Sequence, residues 1–405
     1  MVSSSQDTAD RINAAAARLE PELVEFTREI VKIPSVTGSE GEVVNHIARR
    51  MRGAGFDRVF QDRMGNVVGQ LGTGRTKVLF DAHVDTVEPG DLSAWTHDPY
   101  KAEVEDGVLY GRGACDDKGP FAAAFYGARI IKELGLEGDF TLYVSGSVGE
   151  ENGEGVALAS LFEETGLEPD AVVVAESSSL TIRRGHRGRA LIGMRFGGRA
   201  VHASTPEQGI NPIYKAAPVI KAIEQLNREL SARAGDPFLG RGSVVATRLL
   251  SPAPSFNTIP GEATVMVDRR LTIGETRESI LSELRSLPGA GEAAVEIIRL
   301  NEPSHTGLVR EAEEFFPPWA LPAEHPLVVA GVQAYRRVFR SEPTVERWDF
   351  STNGTYTMGI RGIPTIGFGP GDGRYAHTAL DQVSVTELVR AAAFFAALPL
   401  ALTAK

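Results

Sequence analysis

Cysteine is almost absent. Cys115 is the only one in 405 residues, so no disulfide can form within the chain, and a reducing compartment is expected. Positive charge is also in deficit. Lys and Arg number 42 against 53 Asp and Glu, a net charge of −11, which argues against a nucleic-acid partner. The opening residues, Met1-Val2-Ser3-Ser4-Ser5-Gln6-Asp7, have neither a basic n-region nor an apolar h-region, so no signal peptide is expected. No membrane span is expected. The most apolar run, residues 391–402, is short and contains Pro399, which is expected to break it. A last helix buried on the core is the better reading, with no membrane partner and a cytoplasmic location. Internal repeats and low-complexity linkers are lacking as well.

What is present is an ordinary globular composition, 42% hydrophobic and 23% charged, enough for a large core in two or three domains. Leu19, Leu23, Phe26, Ile30 and Val31 recur at helical spacing over residues 10–32, and Pro34 ends that helix. Helices are expected near 40–54, 119–134 and 156–165. Strands are expected at 66–70, 76–83, 108–110, 140–148 and 171–176. Strands alternating with helices imply an α/β domain with a mostly parallel, buried sheet. From residue 188 the order becomes strand 190–196, helix 212–231, strands 243–250 and 262–271, helix 275–287 and strand 293–300. That β-α-β-β-α-β pattern is ferredoxin-like. The expected division is therefore 1–187 and 301–405 as one catalytic α/β domain, with 188–300 inserted as an α+β domain. A helix at 325–338, a strand at 364–368 and the last helix belong to the returning part.

Five candidate metal ligands lie along the chain in distinct contexts. His83 ends the apolar run Val78-Leu79-Phe80-Asp81-Ala82-His83, two residues before Asp85. Asp116 lies in Gly111-Arg112-Gly113-Ala114-Cys115-Asp116-Asp117-Lys118-Gly119. Glu151 is the second of the pair Glu150-Glu151, Glu176 ends the run 171–176, and His377 follows the Gly-rich 367–373. Two imidazoles and three carboxylates suit two divalent ions, zinc first, with cobalt or manganese as alternatives. Asp85 can turn back to the free nitrogen of the His83 ring. Asp116 can bridge two ions, and Asp117 reads as a helix cap. On an extended segment Glu150 and Glu151 point in opposite directions, so one can bind metal while the other, Glu150, serves as general base. Cys115 reads as structural, and the arginines 183, 184, 187 and 189 as a charged hinge or a carboxylate site. His46, His97, His305 and His325 lack ligand-like context.

These motifs resemble the dinuclear zinc hydrolase family of aminoacylase, acetylornithine deacetylase, succinyl-diaminopimelate desuccinylase and carboxypeptidase G, over essentially the whole chain. The resemblance implies a zinc-peptidase-like catalytic domain and a lid that dimerises. It implies His83 and Glu176 on one ion, Glu151 and His377 on the other, Asp116 on both, Glu150 as base and Asp85 as support. Val201-His202-Ala203-Ser204 is similar to the segment whose His reaches the partner subunit's site as an oxyanion donor. Asn257-Thr258-Ile259-Pro260 and Asp268-Arg269-Arg270 resemble lid motifs near the substrate, which makes Asn257 and Arg270 candidate substrate contacts. Phe350-Ser351-Thr352-Asn353-Gly354, residues 362–371 and Pro303-Ser304-His305-Thr306-Gly307-Leu308 look like the YgeY-type branch, with Asn353 a third candidate contact. Three departures bear on substrate identity: Gly149 where Asp commonly precedes the Glu pair, Asn353 in place of Asp, and Asp381 in place of Glu. The expected function is hydrolysis of an amide in a small N-acyl or N-carbamoyl amino acid carrying a carboxylate. A dipeptidase or carboxypeptidase with the same site is the alternative, and a non-catalytic binding protein on this scaffold is the reading from another class.

Overall fold

The computed structural model describes residues 2–136 and 138–404. Nine strands form the central sheet. Its middle four, Phe140–Ser147, Thr76–His83, Ala171–Val174 and Thr365–Gly367, are parallel neighbours in that order. Antiparallel strands flank them, Val67–Leu71 and Arg58–Gln61 on one side and Ile182–His186 with Trp319–Ala320 on the other. Val345–Trp348 runs parallel to Ile182–His186. The sheet is thus parallel where the candidate ligands sit and mixed at its edges.

The apolar runs are continuous because both faces of the sheet are covered. Val78, Phe80 and Val173 point into the larger core, under Val2–Lys32, Lys118–Leu134, Pro326–Phe339 and Val385–Thr403. Leu79, Val172 and Val174 face the other way, onto Leu158, Leu161 and Phe162 of the helix Val156–Thr165 and onto Trp348 and Tyr356.

Two expectations about helices need correction. The first helix starts at Val2 and holds Pro21 inside it. The last runs Val385–Thr403 straight through Pro399. A proline removes one backbone donor; here Leu398 and Ala401 are buried on either side of it, and that packing outweighs the lost bond. This is the one helix among the described residues long and apolar enough to cross a membrane, yet 67% of its apolar window is buried inside the protein. It packs against Lys118–Leu134, where Gly127 lets the backbones close: a Cβ there would meet Phe395 Cβ at 2.4 Å and Ala392 O at 3.0 Å.

A second sheet has the order Ser243–Leu250, Glu262–Leu271, Gly188–Gly197, Ala293–Ile297, all antiparallel, with helices Pro212–Ala232 and Arg277–Arg285. Its own core gathers Ile192, Met194, Phe196, Val219, Ile223, Val265, Val267 and Leu281. In sequence order the strands lie 2-3-1-4, the ferredoxin-like arrangement. The short strand Phe315–Phe316 then pairs beside Gly188–Gly197, so the outgoing and returning chain cross side by side.

Candidate metal centre

All four parallel strands end at the same edge. His83 is in register with Ser147, Asp81 with Val174, and Val174 with Gly367. The residues just beyond those ends, His83, Glu150 and Glu151, Glu176, and His377, therefore meet over one edge, where open α/β sheets place their sites. They line a cavity of about 400 Å³ together with Asp116, Glu154, Ser177, Arg189, Arg270, Phe350 and Ser351.

Asp116 sits at the centre. Its Oδ1 lies 3.0 Å from His83 Nε2, and its Oδ2 lies 3.2 Å from His377 Nε2. Glu176 Oε1 is 3.7 Å from His83 Nε2, and Glu151 Oε2 is 2.9 Å from His377 Nε2. Each imidazole thus faces a different oxygen of Asp116 and has a carboxylate of its own. Asp117 also brings a carboxylate oxygen within 4.8 Å of donor atoms of His83 and Glu176. It is no side-chain cap, contrary to expectation: its Oδ2 accepts the His83 backbone N–H at 3.1 Å, which places it behind that ligand.

The charge balance asks for cations. Burial foremost, then neighbouring carboxylates, raises the Glu150 carboxyl well above the usual range and pushes Glu176 up to about 8. Burial likewise raises Glu151, against the pull of His377. Bonds to Asp116 and Glu151 lift the His377 imidazole to about 10. Acids that cannot all ionise, packed around bases that hold their protons, are what a metal-ligand set looks like before its ions are counted. Imidazole nitrogen and carboxylate oxygen are the donors zinc and its neighbours take.

The supporting hydrogen bonds are dense. Asp85 is fully buried. His83 Nδ1 is 3.0 Å from the Asp85 backbone carbonyl and 3.5 Å from its carboxylate, so the carbonyl is the closer partner. The Asp85 carboxylate accepts Glu150 N–H at 3.1 Å, Glu151 N–H at 3.2 Å and the Thr37 hydroxyl at 2.7 Å. The strand before the Glu pair ends at Ser147, so both glutamates lie in a turn. Their separation comes from that turn, not from an extended segment as expected. Asp381 accepts Gly113 N–H at 2.7 Å, Cys115 N–H at 2.9 Å and the Arg112 guanidinium at 3.1 Å, hanging the Asp116 loop from the His377 side. Cys115 is buried, and burial pushes its thiol well up, which suits a structural residue.

Not every sequence candidate reaches the cavity. Asn353 does not: it is buried, donating to Asp81 Oδ2 at 2.8 Å and Ser147 Oγ at 3.0 Å while accepting Gly155 N–H at 2.6 Å. Its reading as a substrate contact gives way to that of an internal brace. His202 and Asn257 are exposed on the second sheet's side, 3.2 Å apart, outside this cavity. Arg270 does line it, held by Asp268. Arg189 lines it too, but two bonds to Glu154, at 3.1 and 2.9 Å, and a third carboxylate contact, to Glu314, hold it in place. Arg183, Arg184 and Arg187 bond to Glu346, the Leu321 carbonyl and Asp349. Sequence reasoning missed Glu154, Ser177 and Phe350 as wall residues. Glu154 stands three residues after Glu151, the only signal that could have found it.

Residues 79–401 match the model of peptidase family M20/M25/M40. The chain belongs to this family. It is a hydrolase of the M20 type, acting on C–N bonds, and its similarity extends to the YgeY-type branch. It is 40% identical to YgeY of Escherichia coli strain K12 over 381 residues, 94% of each chain. It is 26% identical to an N-formyl-4-amino-5-aminomethyl-2-methylpyrimidine deformylase of Bacillus subtilis strain 168, over 80% of each. The fold is that of the M20 metallo-carboxypeptidase Sso-CP2 from Sulfolobus solfataricus, with a TM-score of 0.75 at 17% identity, covering 93% of this chain and 98% of that one.

Proposed function

We propose that this M20 hydrolase cleaves the amide of a small N-acyl, N-formyl or N-carbamoyl amino acid, with two divalent ions and Glu150 as general base. The observation that carries the reading is Asp116, whose two oxygens face two imidazoles at 3.0 and 3.2 Å. His83, Glu176 and Asp116 would hold one ion, and Glu151, His377 and Asp116 the other; zinc fits first. Ions bound there would polarise a substrate carbonyl and acidify water. Glu150, buried beside both sets and free of a side-chain partner in the hydrogen bonds of the turn, takes the proton of the attacking water and returns it to the leaving nitrogen. Asp85 holds its turn in place.

The substrate side of the cavity has two open features. Arg270 is one-third exposed; its Nε and Nη2 are bonded to Asp268, and its Nη1 suits a substrate carboxylate. Phe350 is 38% exposed at the wall and suits an apolar side chain. Residues 188–300 form the lid and dimerisation domain in this reading. The edge strand Ser243–Leu250 leaves Val245, Leu249 and Leu250 exposed, and Tyr214 and Phe256 are exposed in the same domain, apolar surface suited to a second copy. His202, which does not line its own chain's cavity, would act across that interface as oxyanion donor, with Asn257 beside it.

A panel of N-acetyl, N-formyl and N-carbamoyl amino acids against dipeptides, run with added zinc, cobalt or manganese, tests the function. Metal counting by plasma spectrometry goes with it. Two ions per chain and turnover of the acyl series are expected. Turnover of dipeptides alone would make this a dipeptidase. One ion with no turnover of either series would overturn the reading.

A further inference from the structure

The segment 303–308 has no part in the chemistry above, yet its half-buried histidine lies against Glu40, which bonds to the start of the turn that bears Glu150 and Glu151. The His305 imidazole lies in a cradle of two glycines. A Cβ at Gly65 would come within 2.1 Å of its Cε1, and one at Gly41 within 3.3 Å of its Cδ2. Gly65 also has a φ of +105°, so glycine is required there twice over. Bonds on both sides pin the segment: Thr306 Oγ1 donates to the Arg63 carbonyl at 2.8 Å, and Glu302 accepts Asn152 Nδ2 at 2.6 Å.

His305 faces a single buried carboxylate. Its Nδ1 approaches Glu40 Oε2 to 3.4 Å, and neither atom makes a hydrogen bond among the described residues. The second oxygen of Glu40 is in use. It accepts Gly38 N–H at 3.0 Å and Gly149 N–H at 3.1 Å. Gly149 opens the catalytic turn, and the next two amides, of Glu150 and Glu151, go to Asp85. Three consecutive amides are therefore held by two carboxylates. Gly149 has no side chain to pack and a φ of +69°, which glycine can leave freely, so its amide bond to Glu40 adds a restraint to those from Val148 N–H on Asn66 at 3.0 Å and from the Gly149 carbonyl to Gly153 N–H at 3.1 Å. A carboxylate that is 1% exposed is costly to bury unless it is compensated; here Oε1 is hydrogen-bonded and Oε2 has the His305 imidazole beside it at 3.4 Å.

We propose that Glu40, seated by His305, is a positioning residue that sets the Glu150–Glu151 turn and so governs both the affinity of the ion on Glu151 and the reach of Glu150. This rests on the roles given to those two residues above. Glu40 touches neither substrate nor ion and acts through the Gly149 amide.

The test compares Glu40→Ala, Glu40→Gln and His305→Ala in the full chain. Metal-stripped protein is titrated with zinc by calorimetry, and kcat and KM are measured on the best substrate of the panel. Disturbing a residue behind a metal ligand typically costs about 10–100-fold in affinity or activity. In Glu40→Ala the weaker of the two zinc-binding steps loses that much and kcat falls by a similar factor, while KM stays within about twofold. Glu40→Gln keeps an amide oxygen for both N–H groups and recovers most of both losses, and His305→Ala falls between. A residue needed only for folding would lower the melting temperature alone, and its Gln variant would rescue nothing. Wild-type zinc affinity and kcat in Glu40→Ala, or a Gln variant as impaired as the Ala variant, would overturn the proposal. Where Glu40→Ala does not fold, Glu40→Asp, one methylene too short to reach Gly149, takes its place with the same expected losses. If Glu150→Gln keeps full turnover, the base assignment falls, while the zinc titration still decides the role of Glu40.

Discussion

Glu150 and Glu151 are adjacent and chemically identical, and their environments differ. Glu151 lies against His377 at 2.9 Å, while burial raises the Glu150 carboxyl and keeps it fit to accept a proton. With Glu150 as the proposed base, Glu150→Gln preserves the shape and removes the proton acceptor. Turnover should drop about 10²–10⁴-fold with both ions retained, measured by single-turnover kinetics and metal analysis. Near-normal kcat would place the base elsewhere. His186 makes a prediction of another kind. It is fully buried, its Nε2 accepting Thr352 N–H at 3.2 Å and its Nδ1 lying 2.9 Å from the Arg187 carbonyl. Burial lowers its pKa from 6.5 to about 4. The folded protein thus resists a proton that the unfolded chain accepts. Its contribution is complete above pH 6.5 and is lost as pH falls toward 4, about 3 kcal/mol over the window. Between pH 7 and pH 5 the wild type should lose more melting temperature than His186→Gln does. Parallel losses would mean that His186 titrates normally.

Elements were legible where their pattern was local. The strand Thr76–His83 and the helix Val156–Thr165 were read to the residue, because their apolar runs and turn residues sit inside them. The strands Ile182–His186 and Val345–Trp348 were not read. Arg183, Arg184, Glu346 and Arg347 break any apolar alternation, and only pairing with neighbours distant in sequence makes these segments extended. Pro399 misled for the same reason: a breaker by propensity is overruled by burial of a whole helix face. The contact of that helix with Lys118–Leu134 depends on Gly127. Gly127→Leu should overpack it and cost about 1–3 kcal/mol, seen as a lower melting temperature with metal stoichiometry unchanged, since the site lies at the strand ends. An unshifted transition would mean the two helices can part at no cost.

At the scale of the whole molecule, the open matter is whether one chain makes a complete site. His202 stands apart from its own cavity. If a partner copy supplies it, His202→Ala and Glu150→Gln are each inactive alone, yet co-expressed they should regain activity, because a mixed dimer contains one site with both residues intact. About a quarter of wild-type activity per site is the statistical expectation, when the two chains mix at random and each intact site works alone. Confirmed mixed dimers without any rescue would refute the trans role, and a monomer by ultracentrifugation would refute the interface. Substituting Leu249→Lys on the exposed edge strand should separate the subunits and lower activity together.

The chemistry was already legible in residue identity and local pattern. Two imidazoles and the carboxylates at positions 116, 150, 151 and 176 are donor types fixed by residue identity, and each announced itself by ending an apolar run or following a glycine-bearing turn. The alternation of elements was settled there too, since period and punctuation are local. Tertiary structure alone decided which atoms meet. Asp116 oxygens face two different histidines only because four parallel strands end in register. Asn353 became a brace for Asp81 and not a substrate contact, since the partner of a side chain is set by what folds against it. Glu40 and His305, 265 positions apart, looked like ordinary polar residues until the returning chain laid one over the other. Contacts of that range leave no periodicity in a sequence, so only the folded chain reveals them.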